Sequence, residues 1–400
     1  MRSILEGIRV VELTEALAGP YAAMLLGDMG ADVIKVERPG VGDQSRTWGP
    51  PFVGTESAYF LATNRNKRSI VLDYNEAEGA IVLGRLLASA DVFLCNQPSL
   101  STLTRLGIDP AAVRAKHPKL IYCSITGYGF TGPKKGLPGY DILAQAEAGV
   151  MSFTGEPDGG PMRFPIAIAD MSTGIYGAMG ILGALFARER NGGQGDFLDM
   201  ALFDSQLTWL ANVGSSQMNA GISPTRWGNA HPNIVPYQPF RGSDGRFFVV
   251  GVGTQLAWQR LLRLLQAEKE IGEDSRFLDN AARVRNREQL IPLLQEKFGA
   301  ESASSWVRRL GESDVPAASI QTVGEALGDP QSLARGLIVE LEHPTLQKVR
   351  SIANPIRYQQ QPIQYRLPPP LLGEHSREVL AELGIPEGSG QNIELDKSRI

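Results

Sequence analysis

Six short runs of aliphatic and β-branched residues recur through the first 170 positions: IRVVEL (8–13), DVIKVE (32–37), SIVLD (69–73), DVFLCN (91–96), LIYCSI (120–125) and PIAIA (165–169). Stretches with helical spacing lie between several of them, among them PYAAMLLGDMG, AEGAIVLGRLLASA and IDPAAVRAKH. Strands that alternate with helices build βαβ units, and these close into a mostly parallel sheet with helices on its faces. The fold class read from this order is α/β, with a Rossmann-like large domain. Its ligand crevice is expected outside the carboxyl ends of the strands.

The pattern changes after about residue 213. SSQMNAGISPTRWGNAHPN is a Gly/Pro/Asn-rich connector, and GRFFVVGV follows a Ser-Asp-Gly turn as one arm of a hairpin. LAWQRLLRLL, REQLIPLLQEKF and SASSWVRRLGE read as amphipathic helices. The expected organisation is a large domain over 1–213, a smaller α+β domain over 225–325, and a Pro/Gln-rich crossing segment with a terminal helix over 330–400 that returns to the large domain or wraps a partner. A chain of 400 residues also exceeds what one hydrophobic core usually supports.

A net charge of −4 gives no general attraction to nucleic acid or to an anionic membrane, so an anionic ligand has to be met by local Arg and Lys. The two cysteines, Cys95 and Cys123, are too few for a disulfide framework and lack metal-ligand spacing. The first residues lack the pattern of a signal peptide, and no run reaches transmembrane length. These features predict a cytoplasmic protein with neither a membrane nor a nucleic-acid partner.

A dinucleotide site fails on chemistry. The turn after the first strand, ELTEALAGP, carries one glycine where the pyrophosphate-binding fingerprint needs three. Basic residues nonetheless gather at one predicted sheet edge: Arg38, the NRNKRS stretch, Arg105, and Lys134 with Lys135. Each is ordinary as a solvated turn; together they suit a polyphosphate. The acid in FPIAIADMSTG, Asp170, has two readings: N-cap of the apolar helix that follows, or a catalytic carboxylate.

VVELTEALAGPYAAMLLGDMGADVIKVERPGVGDQSR, NRNKRSIVLD, SITGYGFTGPKKGLPGYDILAQAEAGVMSFTG and IADMSTGIYGAMGILGALFARERNGGQG, in that order, resemble the class III coenzyme A transferase family. WGNAHPNIVPYQPF and PPPLLGEHSREVLAELGI extend the likeness almost end to end. The resemblance implies that Asp170 is the covalent nucleophile, and that coenzyme A meets Ala18, Arg38, Leu72, Asn96 and Arg105. Two departures stand out: NQPSLSTLTR is one residue longer than in formyl-CoA transferase, and Pro138 replaces a CoA-binding lysine, for which Lys134 or Lys135 would substitute. The family also implies an interlocked homodimer, CoA thioesters and carboxylic acids as substrates, and no tightly bound cofactor or metal.

Within that group, WGNAHPNIVPYQPF looks most like the succinyl-CoA:dicarboxylate branch. Asn229 and His231 of this loop, with Tyr140, are candidates for the acyl pocket, and Arg226 or Arg163 would supply a cation for a far carboxylate. The rival is the related 2-methylacyl-CoA racemase, whose second base is a histidine where this chain has Tyr140. A phenol with an ordinary pKa near 10 is a poor base at neutral pH, which favours CoA transfer. A subunit of a two-component transferase is the other alternative.

Overall fold

The computed structural model describes residues 3–385. They form two compact units, one of 3–150, 163–218 and 331–385, the other of 151–162 and 219–330.

The first unit is built on six parallel strands: β1 (Arg9–Leu13), β2 (Asp32–Glu37), β3 (Lys67–Val71), β4 (Val92–Cys95), β5 (Ile121–Thr126) and β6 (Phe197–Ala201), ordered β3-β2-β1-β4-β5-β6. Side chains alternate across a strand, so neighbouring residues serve opposite layers. Val10, Val33, Val92 and Ile121 pack with helices α1 (Ala18–Asp28) and α5 (Ile168–Arg188). Val11, Ile34, Ile70, Phe93 and Tyr122 pack on the opposite face with α2 (Ala77–Ser89) and with Val113 of α3 (Pro110–Lys116). Burial on both faces explains why β4 and β5 read as nearly continuous apolar runs, whereas β1, β2 and β3 carry Glu12, Lys35 and Lys67, which are buried as paired charges.

The stretch 165–169 is not a strand. Its last residues enter α5 at Ile168, and the sixth strand is FLDMA at 197–201. Alternating small apolar residues fit either a strand or the entrance to an apolar helix, and the polar pull of Asp199 hid the half-covered edge strand. Asp170 therefore sits in the first helical turn, with Ala167 at the cap position. At 21 residues, α5 is also long and apolar enough to cross a membrane, which corrects the expectation that no run reaches that length. Its inner face is core: Gly174 and Gly177 let it lie close to α1, and a Cβ at Gly174 would come within 2.7 Å of the Ala18 carbonyl oxygen.

The second unit has a three-stranded antiparallel sheet, β7 (Tyr237–Arg241), β8 (Phe247–Gly251) and β9 (Ala317–Ser319), with β8 central. Helices α7 (Gln255–Leu264), α8 (Arg287–Phe298) and α9 (Ala303–Glu312) cover it, and Thr254 and Ser302 cap the first and last of these. Phe248, Trp258, Leu261, Phe298 and Trp306 form its core. Helix α10 (Ser376–Glu382) belongs to the first unit. Its Val379 and Leu380 join the core, and Arg68 of β3 pairs with Glu378 and Glu382 at 2.8 and 2.6 Å. The last part of the expected terminal segment, 386–400, lies outside the described residues.

Candidate active site at the carboxyl edge of the parallel sheet

In this strand order the chain reverses direction across the sheet between β1 and β4, the switch point where open α/β sheets bind ligands. A cavity of about 640 Å³ opens there, within the first unit. The turn after β1 (Leu13 to Ala18) and the turn after β4 (Asn96 to Pro98) line it. Asn96 ties these two turns together: its side chain accepts from the Glu15 N–H at 3.3 Å and donates to the Glu15 carbonyl at 3.0 Å. Arg38, directly after β2, also lines the cavity and pairs with Glu15 at 2.9 Å.

Asp170 lines the same cavity, as do Tyr59, Tyr140, Asp141 and Arg163. Gly127 and Gly139 bring the Tyr140-Asp141 turn against the end of β5; a Cβ on Gly139 would lie 2.2 Å from the Gly127 Cα. From the start of α4 (Asp141–Glu147), the Asp141 carboxylate accepts from the Ala169 N–H at 2.8 Å and from the Gln145 amide at 2.6 Å. Gln145 in turn accepts from the Phe164 N–H at 2.7 Å. Both ends of the segment entering α5 are thus held, and Asp141 does the capping that the sequence suggested for Asp170.

The electrostatics of Asp170 are unusual for a carboxylate in a first helical turn. The helix dipole should favour the ionised form. Burial and, secondarily, the neighbouring Asp141 charge outweigh it and push Asp170 up to about 7. Burial and then Asp170, Asp141 and Asp43 likewise raise the Tyr59 phenol to about 12, so Tyr59 is a hydrogen-bond donor and not a base at neutral pH.

A compensated charge cluster lies beside the cavity wall formed by the turn after β1. Lys35 Nζ reaches Glu12 at 3.0 Å, Asp43 at 2.8 Å and the Thr14 carbonyl at 2.8 Å. Lys67 Nζ adds Glu12 at 2.9 Å and the Pro20 carbonyl at 2.9 Å. Asp43 also accepts from the Ala16 N–H at 3.1 Å, which supports Ala16 in a left-handed conformation with φ of 72°. Buried ions thereby shape the backbone of the cavity wall. Burial lowers Lys67 to about 8 despite Glu12.

The structure brings Ala18, Arg38, Asn96, Tyr140 and Asp170 together on one cavity. Tyr140 is 62% exposed and makes no side-chain hydrogen bond to Asp170. Leu72 is buried in the core below the cavity and does not line it. Arg105 is exposed, donates to the Asn75 side chain at 3.3 Å, and is off the wall as well. Lys134 pairs with Glu147 at 2.7 Å. Asn229 and His231 belong to the second unit, where His231 Nδ1 accepts from the Asn233 N–H at 3.1 Å. Arg226 is in that unit too, donating to the Ser152 and Glu156 carbonyls. Among the described residues no group of His, Cys, Asp and Glu could hold a metal ion.

The model of CoA-transferase family III matches residues 5–376. The chain belongs to CoA-transferase family III. It is 43% identical to succinate–glutarate CoA-transferase of Agrobacterium fabrum, over 95% of each chain. It is 41% identical to human succinyl-CoA:glutarate CoA-transferase, over 95% of this chain and 86% of that protein. A crystal structure of a CAIB/BAIF family protein from Brucella suis superposes with a TM-score of 0.86 at 42% identity, covering 96% of this chain and all of the other.

For a family III transferase the cavity holds several residues that sequence reasoning did not single out. Trp48, Tyr59, Tyr74 and Gln97 all line it. Tyr59 lies in the six-residue helix Ala58–Thr63, and the other three come from connecting turns, so no long periodicity marks them. Asp141 had one available signal: an acid directly after a glycine-tyrosine pair and four residues before Gln145 on a short helix.

Proposed function

We propose that the chain transfers coenzyme A from succinyl-CoA to a second dicarboxylic acid, with Asp170 as covalent nucleophile. The observation that carries this reading is the Asp170 carboxyl in the switch-point cavity, pinned by Asp141 through its helix and facing no cation within ion-pair distance among the described residues. The named activities of the Agrobacterium and human relatives support the donor and the acceptor class.

The chemistry balances without a further reagent. An Asp170 oxygen attacks the thioester carbonyl, the C–S bond breaks, and a mixed anhydride and CoA thiolate result. The thiolate attacks the aspartyl carbonyl, releasing the donor acid and leaving an aspartyl-CoA thioester. The incoming carboxylate attacks that thioester, and the thiolate attacks the acyl carbon of the second anhydride, restoring the Asp170 carboxylate. Burial serves this sequence in two ways. It makes the carboxylate a stronger nucleophile than a solvated one, and it keeps water from the anhydride.

On this reading Ala18, Arg38 and Asn96 hold the nucleotide part of coenzyme A, with Arg38 exchanging its Glu15 partner for phosphate. Leu72 and Arg105, which do not line the cavity, are left outside this assignment. The test is trapping: with acyl-CoA present, hydroxylamine or borohydride should modify the peptide containing Asp170 and no other. In D₂O without an acceptor, a 2-methylacyl-CoA should take up no deuterium at its α-carbon; rapid uptake would restore the racemase alternative.

A homodimer is part of the same proposal. One face of α5 is core, yet Ile175, Met179 and Phe186 on another face are 49%, 59% and 59% exposed. A helix apolar on two faces with only one covered supports a second protein surface over it. Sedimentation of the purified chain should show a dimer, and a monomer at micromolar concentration would refute that part.

A further inference from the structure

We propose that Arg163 is the specificity-determining cation of this site and pairs with the far carboxylate of the dicarboxylyl group. The inference rests on the dicarboxylate reading above and assigns that preference to one residue. Two cations, Arg38 and Arg163, line the cavity. Arg38 is already paired with Glu15. Arg163 is exposed, has no hydrogen-bond or ion-pair partner among the described residues, and lines the same cavity as Asp170 and Tyr140.

Three further observations fit a substrate contact. The next residue, Phe164, is clamped through its N–H by buried Gln145, so the backbone that carries the guanidinium is held in place. Arg163 is not among the groups that perturb Asp170, whose carboxyl feels burial and Asp141 alone. The guanidinium thus shares the cavity with the nucleophile without quenching it, as a diacid needs when one carboxyl reacts and the other is held. Finally, the other arginine that the sequence offered for this role, Arg226, spends its guanidinium on two backbone carbonyls in the second unit. A planar fork of N–H donors matches a carboxylate in a way a lysine does not.

The test compares acceptors of one length with and without the second charge. With the full-length protein and succinyl-CoA as donor, kcat/KM is measured for glutarate and for pentanoate, and both acids are titrated into the CoA-loaded protein by calorimetry. Arg163→Gln should lower kcat/KM and affinity for glutarate about thirtyfold and those for pentanoate less than threefold, the size of one charge-assisted contact. Arg163→Lys should recover part of the discrimination. Equal losses for the two acids, or an unchanged preference for glutarate, would overturn the assignment. A rise in KM shared by succinyl-CoA, butyryl-CoA and free CoA would do so too, by making Arg163 a phosphate contact. If the unmodified protein neither binds nor uses glutarate while forming the aspartyl adduct, the dicarboxylate reading itself fails, a result separable from any effect of the substitution.

Discussion

Asp43 and Asp170 are both largely shielded from water at the same edge of the parallel sheet, yet their surroundings drive them in opposite directions. Burial by itself would raise Asp43, but Lys35 overrides it, with further hydrogen bonds from the Ala16 and Ser45 N–H groups, and holds it at about 2. Asp170 has burial and a like charge, Asp141, and rises to about 7. The first carboxylate is spent on structure, since every charge it meets is answered. The second is left unanswered, and the cost of keeping it so is returned as reactivity.

The largest effect should come from removing the unanswered charge. Asp170→Asn should reduce CoA transfer by at least about a thousandfold while leaving CoA affinity within a few-fold, because the amide cannot form the anhydride. The same variant should be more thermally stable than the parent, by more at pH 8 than at pH 5. The sign follows from proton linkage: the folded state holds a proton on Asp170 that the unfolded chain releases near pH 4, so folding stability falls as pH rises toward 7. A parent that is equally or more stable at pH 8 would show that Asp170 is not strained.

Breaking the answered cluster should cost stability instead. Lys35→Met leaves Glu12 and Asp43 buried without their shared cation, and chemical denaturation should report a loss of about 3–5 kcal/mol. Asp43 has the opposite linkage from Asp170. Its stabilisation is full above the unfolded value near 4 and disappears as pH falls through about 2, so Asp43→Asn should flatten acid unfolding in that window.

Intermediate effects fall on coenzyme A. Arg38→Ala should raise KM for every acyl-CoA by about tenfold, since a phosphate contact is blind to the acyl group. Arg105→Ala, off the cavity wall, should change it less than about threefold. Equal effects at both positions would place the phosphates beyond the cavity.

The smallest effect sharpens the comparison most. The acid limb of kcat/KM should have its midpoint near pH 7, where Asp170 ionises, and Asp141→Asn should move it downward by about one unit or less by deleting the like charge. An unmoved midpoint would leave burial as the sole cause of the shift.

How much of this was legible beforehand differs by element. Five of the six expected strands lie within two residues of their places, because burial on both faces of a parallel sheet concentrates aliphatic and β-branched residues in short runs, even where paired charges interrupt them. The REQLIPLLQEKF helix spans Arg287–Phe298 as its spacing indicates. The failure at 165–169 occurred where a helix entrance and a buried strand have the same apolar pattern, and that ambiguity cannot be resolved by periodicity. In the site, Arg38 and Asn96 were readable because they end strands at the expected switch point. Trp48 and Tyr59 were not, since long-range packing alone delivers a connecting turn and a six-residue helix to a cavity.

Sequence by itself determined the α/β class, the family and the identity of the acid at position 170, because strand and helix periodicity and ordered motifs are local properties of the chain. Tertiary structure alone decided that Asp141, not Asp170, caps α5, that Arg38 is paired while Arg163 has no partner among the described residues, and that Asp43 and Asp170 occupy opposite electrostatic states. Burial and charge pairing depend on what surrounds a side chain in space, and for Asp43 the decisive partners come from β2 and from the turn after β1, contacts that no spacing along the chain encodes.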